Sequence, residues 1–128
     1  IYLIPRRSTI REHIEPRVKI LEEKLGGNER AYSIALGGSD RIGVFGYVDC
    51  FIREILPLIE RFQLGHLVVP CGSGGTMEGL ALGNRLTGSR LRLHAFAVSD
   101  NRTYFQNHFE EILRQLHLEN LLDELKEN

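Results

Sequence analysis

A glycine-rich turn carries the residue types best suited to chemistry in this sequence. Gly72-Ser73-Gly74-Gly75 follows the apolar run His66–Pro70 and precedes a helical pattern that starts near Thr76. Small residues in a row let backbone N–H groups point into one concavity, and the positive end of a helix dipole adds to the attraction for an anion. The hydroxyls of Ser73 and Thr76 can donate as well. The turn therefore predicts a phosphate site; the alternative is a plain sharp turn in which Thr76 caps the helix.

Residues that the turn lacks narrow the kind of phosphate ligand. A nucleotide P-loop needs a lysine after its second glycine, and Leu80 stands there when the count starts at Gly74. A dinucleotide-binding turn counted from Gly72 needs a third glycine where Met77 stands. The pattern thus gives little support to a nucleotide or a dinucleotide.

A serine hydrolase is the alternative that fits the same turn best. The stretch Cys71–Gly75 is close to a nucleophile elbow if Cys71 is accepted at its first small position, and Ser73 would then be the nucleophile. Asp100 with His108 or His117 would follow in the chain order of that fold. A non-catalytic α/β module that binds a phosphate ligand is a further alternative.

Composition and charge limit the partners. The chain has 128 residues, of which 42% are hydrophobic, and its formal net charge is -1. These values favour a folded core and give no attraction to nucleic acid or to an anionic membrane. Cys50 and Cys71 have no second cysteine or histidine at a metal-ligand spacing, so we expect two buried thiols and no metal site. We expect a soluble, cytoplasmic protein with a small-molecule ligand, no nucleic acid and no membrane partner.

Hydrophobic periodicity predicts the elements that position these residues. The predicted strands are Ile1–Ile4, Ala31–Leu36, His66–Pro70 and Leu91–Val98. The predicted helices are Pro16–Leu25, Val44–Phe62 with a kink or split near Ile55 caused by Pro57, Thr76–Leu86, Phe105–Leu116 and Leu118–Leu125. Strands that alternate with helices over short connections predict an α/β fold with three layers, in which helices cover both sides of a mostly parallel sheet. Leu91–Val98 is predicted to be an interior strand of this sheet. Ligands of such folds bind beyond the carboxyl ends of the strands.

A second block of sequence adds a family resemblance. Ala31–Ile34 is followed by Gly37–Val48 (GGSDRIGVFGYV), and the glycine-rich turn comes later at a matching interval. Together the two blocks resemble the fold-type II pyridoxal-phosphate enzymes, in the D-cysteine desulfhydrase and 1-aminocyclopropane-1-carboxylate deaminase branch.

The resemblance implies roles for both blocks. Gly72, Ser73, Gly74, Gly75 and Thr76 would wrap the phosphate of pyridoxal 5'-phosphate. Gly37, Gly38 and Ser39 would lie near the cofactor edge, at the seam between two domains. Residues 1–40 would then be part of a small α/β domain, and residues 41–128 the start of a large cofactor-binding domain.

The lysines depart from the pattern of that family. The Schiff-base lysine of such enzymes lies upstream of the matched region, whereas Lys19, Lys24 and Lys126 are predicted to be surface charges. The resemblance therefore implies an internal fragment of a lyase or deaminase that acts on a small amino acid, the parent being a homodimer. We assign no catalytic residue to the chain and expect it to be inactive alone, with weak or absent cofactor binding.

Overall fold

The computed structural model describes residues 13–25 and 33–122. The chain divides into two compact units, Ile1–Ile34 and Ala35–Asn128. In the first unit, helix α1 spans Glu15–Leu25. Pro16 lies in its first turn, as predicted, where its missing N–H has no helical partner to lose. Lys19 and Lys24 are exposed on this helix, as expected, while Lys126 lies outside the described residues.

The second unit begins with a helical segment that proline divides. Helix α2 spans Val44–Cys50, a π-helical turn covers Phe51–Ile55, and helix α3 spans Leu56–Phe62. Pro57 lies in the first turn of α3, so the predicted split near Ile55 is confirmed. A proline inside a continuous helix would lose a backbone hydrogen bond and clash with the preceding turn.

Two parallel strands and two helices follow. Strand β1 spans His66–Cys71, helix α4 spans Gly75–Leu86, strand β2 spans Arg92–Ala97 and helix α5 spans Arg102–Gln115. The strands pair in register from His66 opposite Arg92 to Cys71 opposite Ala97. The α/β class with a parallel sheet is confirmed, because α4 connects two neighbouring strands that run in the same direction.

The core lies on one face of this sheet. Phe51, Val69, Leu80 and Leu91 form one buried cluster, and Val48, Leu82 and Leu113 form a second one where α2, α4 and α5 meet. Helices α2 and α4 approach closely because Gly79 and Gly83 have no side chain. A Cβ at Gly79 would overlap the Val44 carbonyl, and one at Gly83 would lie 2.6 Å from Phe51 Cβ. Both glycines therefore serve the close packing of α4 on its neighbours.

The other face of the sheet is exposed among the described residues. Val68 on β1 is 62% exposed and Phe96 on β2 is 63% exposed. The prediction that β2 is interior is therefore wrong for the part of the chain that the structure describes. Its apolar sequence is typical of a strand covered on both sides, but among its residues only Leu93 is half-buried and the others are exposed.

Three other predicted elements differ or fall outside the description. Residues 33–35 form no strand, and Leu36 begins a 3-10 turn over Leu36–Gly38, so the strand predicted at Ala31–Leu36 is wrong where it is described. A strand needs a partner for its backbone groups, and Ile34 is 77% exposed. The predicted helix from Leu118 starts as a 3-10 turn over Glu119–Leu121, and Leu122, the last described residue, is helical. The strand predicted at Ile1–Ile4 lies outside the described residues.

Candidate functional site

The glycine-rich turn joins the end of β1 to the start of α4. Gly74 is the N-cap of α4, with φ 106°, and supplies no side-chain acceptor. The helix therefore begins one residue before Thr76, and the alternative in which Thr76 caps it is wrong. A φ of this sign is strained for any residue with a Cβ, which explains glycine at this position.

A second turn supplies the missing cap. Ser39 Oγ accepts a hydrogen bond from the N–H of Gly75 at 3.0 Å and donates one to Ser73 Oγ at 2.6 Å. Ser39 is buried. The two sequence blocks that carry the family resemblance are therefore joined by one hydroxyl group, although 36 residues separate Ser39 from Gly75.

The local sequence fixes the position of Ser39. Gly37 and Gly38 both have positive φ, 67° and 64°, and turn the chain sharply before Ser39. Asp40 then accepts hydrogen bonds from the N–H groups of Ile42, at 2.9 Å, and Gly43, at 2.7 Å, on the way into α2. Asp40 thus closes the turn of residues 41–43 that leads into α2, which is a usual role of a short acidic side chain. Gly38 has nothing within 4 Å of the position of a Cβ, whereas a Cβ at Gly37 would overlap Ser73 Oγ.

A buried acid lies directly beneath the turn. The side chain of Glu78, in the first turn of α4, is fully buried, and its Oε1 lies 2.7 Å from His108 Nδ1. Within the described ranges, 13–25 and 33–122, Glu78 Oε2 has no hydrogen-bond partner. The His108 ring also stacks on Tyr104, with 6.1 Å between ring centroids.

Sequence reasoning missed this pair. Glu78 interrupts an otherwise apolar or small stretch at the start of α4, and His108 lies three residues after Phe105 and four before Ile112, within the buried stripe of α5. A charged residue at an inward helical position is a signal of a buried partner. The identity of that partner depends on how α4 and α5 pack together, and a local sequence pattern does not predict that packing.

Two groups at this site have shifted pKa values. The hydrogen bond to Glu78 raises the pKa of His108; burial opposes that shift, while the charges of Glu78 and Glu111 and the backbone of Ser39 add to it. Burial raises the pKa of the Cys71 thiol, and the charge of Glu78 adds to the effect. Cys71 is buried, as predicted, whereas Cys50 is half-buried, so the prediction of a buried thiol is wrong for Cys50.

The residues proposed for a serine hydrolase do not assemble as that reaction needs. Ser73 Oγ bonds to Ser39 Oγ rather than to a histidine. His108 takes its carboxylate partner from Glu78, whereas Asp100 Oδ1 accepts a hydrogen bond from the N–H of Asn101 beside it. His117 is exposed, just after the end of α5.

The residues of the turn fit a bound phosphate group. Helix α4 is 12 residues long, so its N-terminus carries a developed positive end, and its N-cap residue is a glycine. The hydroxyls of Ser39 and Ser73 meet at this helix end. No group of three or more His, Cys, Asp or Glu side chains that could hold a metal ion occurs among residues 13–25 and 33–122. No described helix is both long enough and apolar enough to cross a membrane.

Comparison with known proteins gives relatives of one kind. No model of a protein family matches the chain. The chain is 33% identical over 122 residues to the bifunctional D-cysteine desulfhydrase/1-aminocyclopropane-1-carboxylate deaminase, mitochondrial, of Arabidopsis thaliana. The aligned region covers 91% of this chain and 30% of that protein. Over 54 residues, 42% of the chain, it is 37% identical to the D-cysteine desulfhydrase of Yersinia pestis and 41% identical to that of Salmonella typhi, in each case 16% of the relative.

The chain therefore spans less than a third of the length of these relatives. The Arabidopsis protein is named as mitochondrial, so the cytoplasmic location expected for this chain stays a prediction. The resemblance found in the two glycine-containing blocks is confirmed: this chain is a homologue of the D-cysteine desulfhydrases and 1-aminocyclopropane-1-carboxylate deaminases.

Proposed function

We propose that the chain carries the phosphate-binding half-site of a pyridoxal-phosphate-dependent lyase or deaminase that acts on a small amino acid. The observation that carries the proposal is the junction at Ser39, whose hydroxyl bonds to both Ser73 and the N–H of Gly75. These hydrogen bonds hold the turn of residues 37–39, here called the seam turn, against the loop of residues 72–76. The homology supports the class of reaction, and the names of the relatives suggest D-cysteine or 1-aminocyclopropane-1-carboxylate as substrates.

In this proposal each part of the site has a separate task. Gly72, Ser73, Gly74, Gly75 and Thr76 form the phosphate loop at the positive end of α4. The Gly75 N–H donates to Ser39 Oγ, so the other backbone N–H groups and the hydroxyls of Ser73 and Thr76 hold the phosphate. Gly37, Gly38 and Ser39 lie along the cofactor edge. When bound, pyridoxal phosphate supplies an electron sink for the substrate's reacting carbon.

The reactive amine is not assigned to any residue of this chain. Lys19 and Lys24 are exposed on α1, which lies in the first compact unit, and we propose that neither reacts with the cofactor. The chain alone is then inactive. In the whole protein, which we propose to be a homodimer, residues 1–40 belong to a small domain and residues 41–128 to a large one.

The experiment is a titration of the chain with pyridoxal phosphate, followed by amide NMR. We expect weak binding, because the chain carries only the phosphate half-site; a Kd roughly in the millimolar range corresponds to about 4 kcal/mol. Amide signals of residues 72–76 should shift with pyridoxal phosphate and inorganic phosphate but not with pyridoxal. Ser73→Ala should weaken binding, and Ser89→Ala, beyond the other end of α4, is the matched control.

The same experiment separates the alternatives. Inorganic phosphate that shifts residues 72–76 while pyridoxal phosphate does not would favour a general phosphate-binding module. Absence of any shift with either phosphate compound would overturn the proposal. A serine hydrolase would instead be indicated by covalent labelling of Ser73 with a fluorophosphonate that Ser73→Ala abolishes.

A further inference from the structure

The pair Glu78 and His108 touches the phosphate loop without belonging to it. The Glu78 side chain is fully buried and that of His108 is 24% exposed. A Cβ at Gly74 would lie 2.8 Å from Glu78 Oε1 and 3.4 Å from His108 Nδ1. The pair therefore lies directly against the residue at which the loop becomes helix α4.

The charge of Glu78 is unfavourable for the proposed ligand. A carboxylate in the first turn of a helix is attracted to the helix dipole, and so is a phosphate at the same helix end. Two anions at one helix end repel each other, and the repulsion is stronger where water is excluded. The Glu78 carboxylate must be compensated if the loop is to hold a dianion.

His108 is placed to give that compensation. Its Nδ1 lies 2.7 Å from Glu78 Oε1, and a protonated ring donates there and cancels the charge. Glu78 Oε2 has no hydrogen-bond partner within residues 13–25 and 33–122, so no other described side chain shares the carboxylate.

We propose that protonated His108 compensates the negative charge of Glu78 beside the phosphate loop. Loss of the His108 proton leaves the Glu78 charge uncompensated and weakens the affinity of the loop for a dianion. This inference rests on the proposed phosphate site and adds two positioning residues and a pH dependence to it.

The groups around the ring support His108 as the titrating member. Glu78 faces it from α4, Glu111 and the stacked ring of Tyr104 lie on its own helix α5, and the backbone of Ser39 faces it from the seam turn. Every charged neighbour in this set is an acid that favours the protonated ring. The acids and the Ser39 backbone raise the pKa of His108 above its ordinary value, although burial opposes them.

Cys71 faces the pair from the end of β1, but its thiol stays protonated through neutral pH because burial and Glu78 both raise its pKa. It therefore adds no charge to the site in the range where His108 titrates.

Sulfate is the probe for this coupling, because it remains a dianion from pH 6 to pH 9 and adds no titration of its own. At constant ionic strength we expect the affinity of the chain for sulfate to fall about tenfold between pH 6 and pH 9, the effect of one unit charge at a partly buried site. By linkage, saturating sulfate should raise the His108 midpoint in NMR by about one pH unit. This second measurement needs no variant.

Glu78→Gln is the matched variant, because the amide keeps an acceptor for His108 and loses the charge. At pH 9, where the wild-type ring has lost its proton, the sulfate affinity of Glu78→Gln should be about tenfold higher than that of the wild type, because the carboxylate charge is absent. Equal sulfate affinities of the two proteins at pH 9 would show a merely structural pair and overturn the inference.

Failure of the inference can be told from failure of the proposed function. Sulfate that does not bind at any pH, or a His108 midpoint that sulfate leaves unchanged, would overturn the coupling. The phosphate site itself is decided by the pyridoxal phosphate titration, so binding there with no coupling to sulfate would overturn the inference alone.

Discussion

Ser39 Oγ accepts a hydrogen bond from the N–H of Gly75 at 3.0 Å, so a residue from the turn before α2 caps helix α4. The N-cap position itself, Gly74, has no side chain to do this. The same hydroxyl donates to Ser73 Oγ. A side chain at Gly74 would collide with the Glu78 carboxylate, and helix α4 is capped by a tertiary contact instead. The two loops therefore depend on each other for their shape.

Removal of this hydroxyl should destabilise the fold. Ser39→Ala leaves the buried N–H of Gly75 without an acceptor, and we expect the free energy of unfolding to fall by about 1 to 2 kcal/mol in urea titrations. Ser89→Ala is the control, because Ser89 Oγ also accepts from a backbone N–H, that of Leu91 at 3.3 Å, but in a more open turn. Its cost should be about 0.5 kcal/mol or less. Equal losses for the two variants would contradict a capping role for Ser39.

The glycines of α4 should differ sharply from a glycine of α2 in their response to alanine. Gly79→Ala places a methyl group against the Val44 carbonyl and the Tyr47 side chain, so we expect a loss of about 1 to 3 kcal/mol as α2 and α4 are pushed apart. Gly46 in α2 has nothing within 4 Å of its Cβ position. Gly46→Ala should therefore stabilise the chain by about 0.5 to 1 kcal/mol through helix propensity. Chemical denaturation of the two variants gives the comparison, and a neutral Gly79→Ala would contradict the close packing.

How far the sequence predicted the structure depends on the range of the interactions. The split at Pro57 and the helix that follows residues 72–74 were predicted because proline and glycine act on their own turn of the backbone. The strand predicted at Ala31–Leu36 was wrong in its described part, since a strand also needs a neighbour. The hydrogen bonds of the Ser39 hydroxyl and the contact of Glu78 with His108 depend on tertiary packing. The spacing of residues in the sequence does not predict such packing.

The stability of the fold should depend on pH through His108. Its folded-state pKa is raised, chiefly by the hydrogen bond to Glu78, so the stabilisation is fully present below the unfolded value near 6.5 and is lost as pH rises through the folded pKa. We expect the free energy of unfolding to decrease from pH 6.5 upward in urea titrations at a series of pH values. Glu78→Gln should remove most of this slope, since the charge that favours the protonated ring is gone. A slope that is equal in both proteins would assign the pH dependence to other groups.

The two thiols should react at different rates in the folded chain. Cys71 is buried at the end of β1, and burial together with the charge of Glu78 raises its pKa, so little reactive thiolate forms near pH 8. Cys50 is half-buried on α2. We expect Cys50 to react with a thiol reagent at least about tenfold faster than Cys71, and Cys50→Ala to leave only the slow reaction. Unfolding in urea should make the two rates similar, because the difference arises from the fold. Glu78→Gln should speed the Cys71 reaction only slightly, since burial is the larger cause of its raised pKa, and equal rates in the folded wild type would contradict the buried position of Cys71.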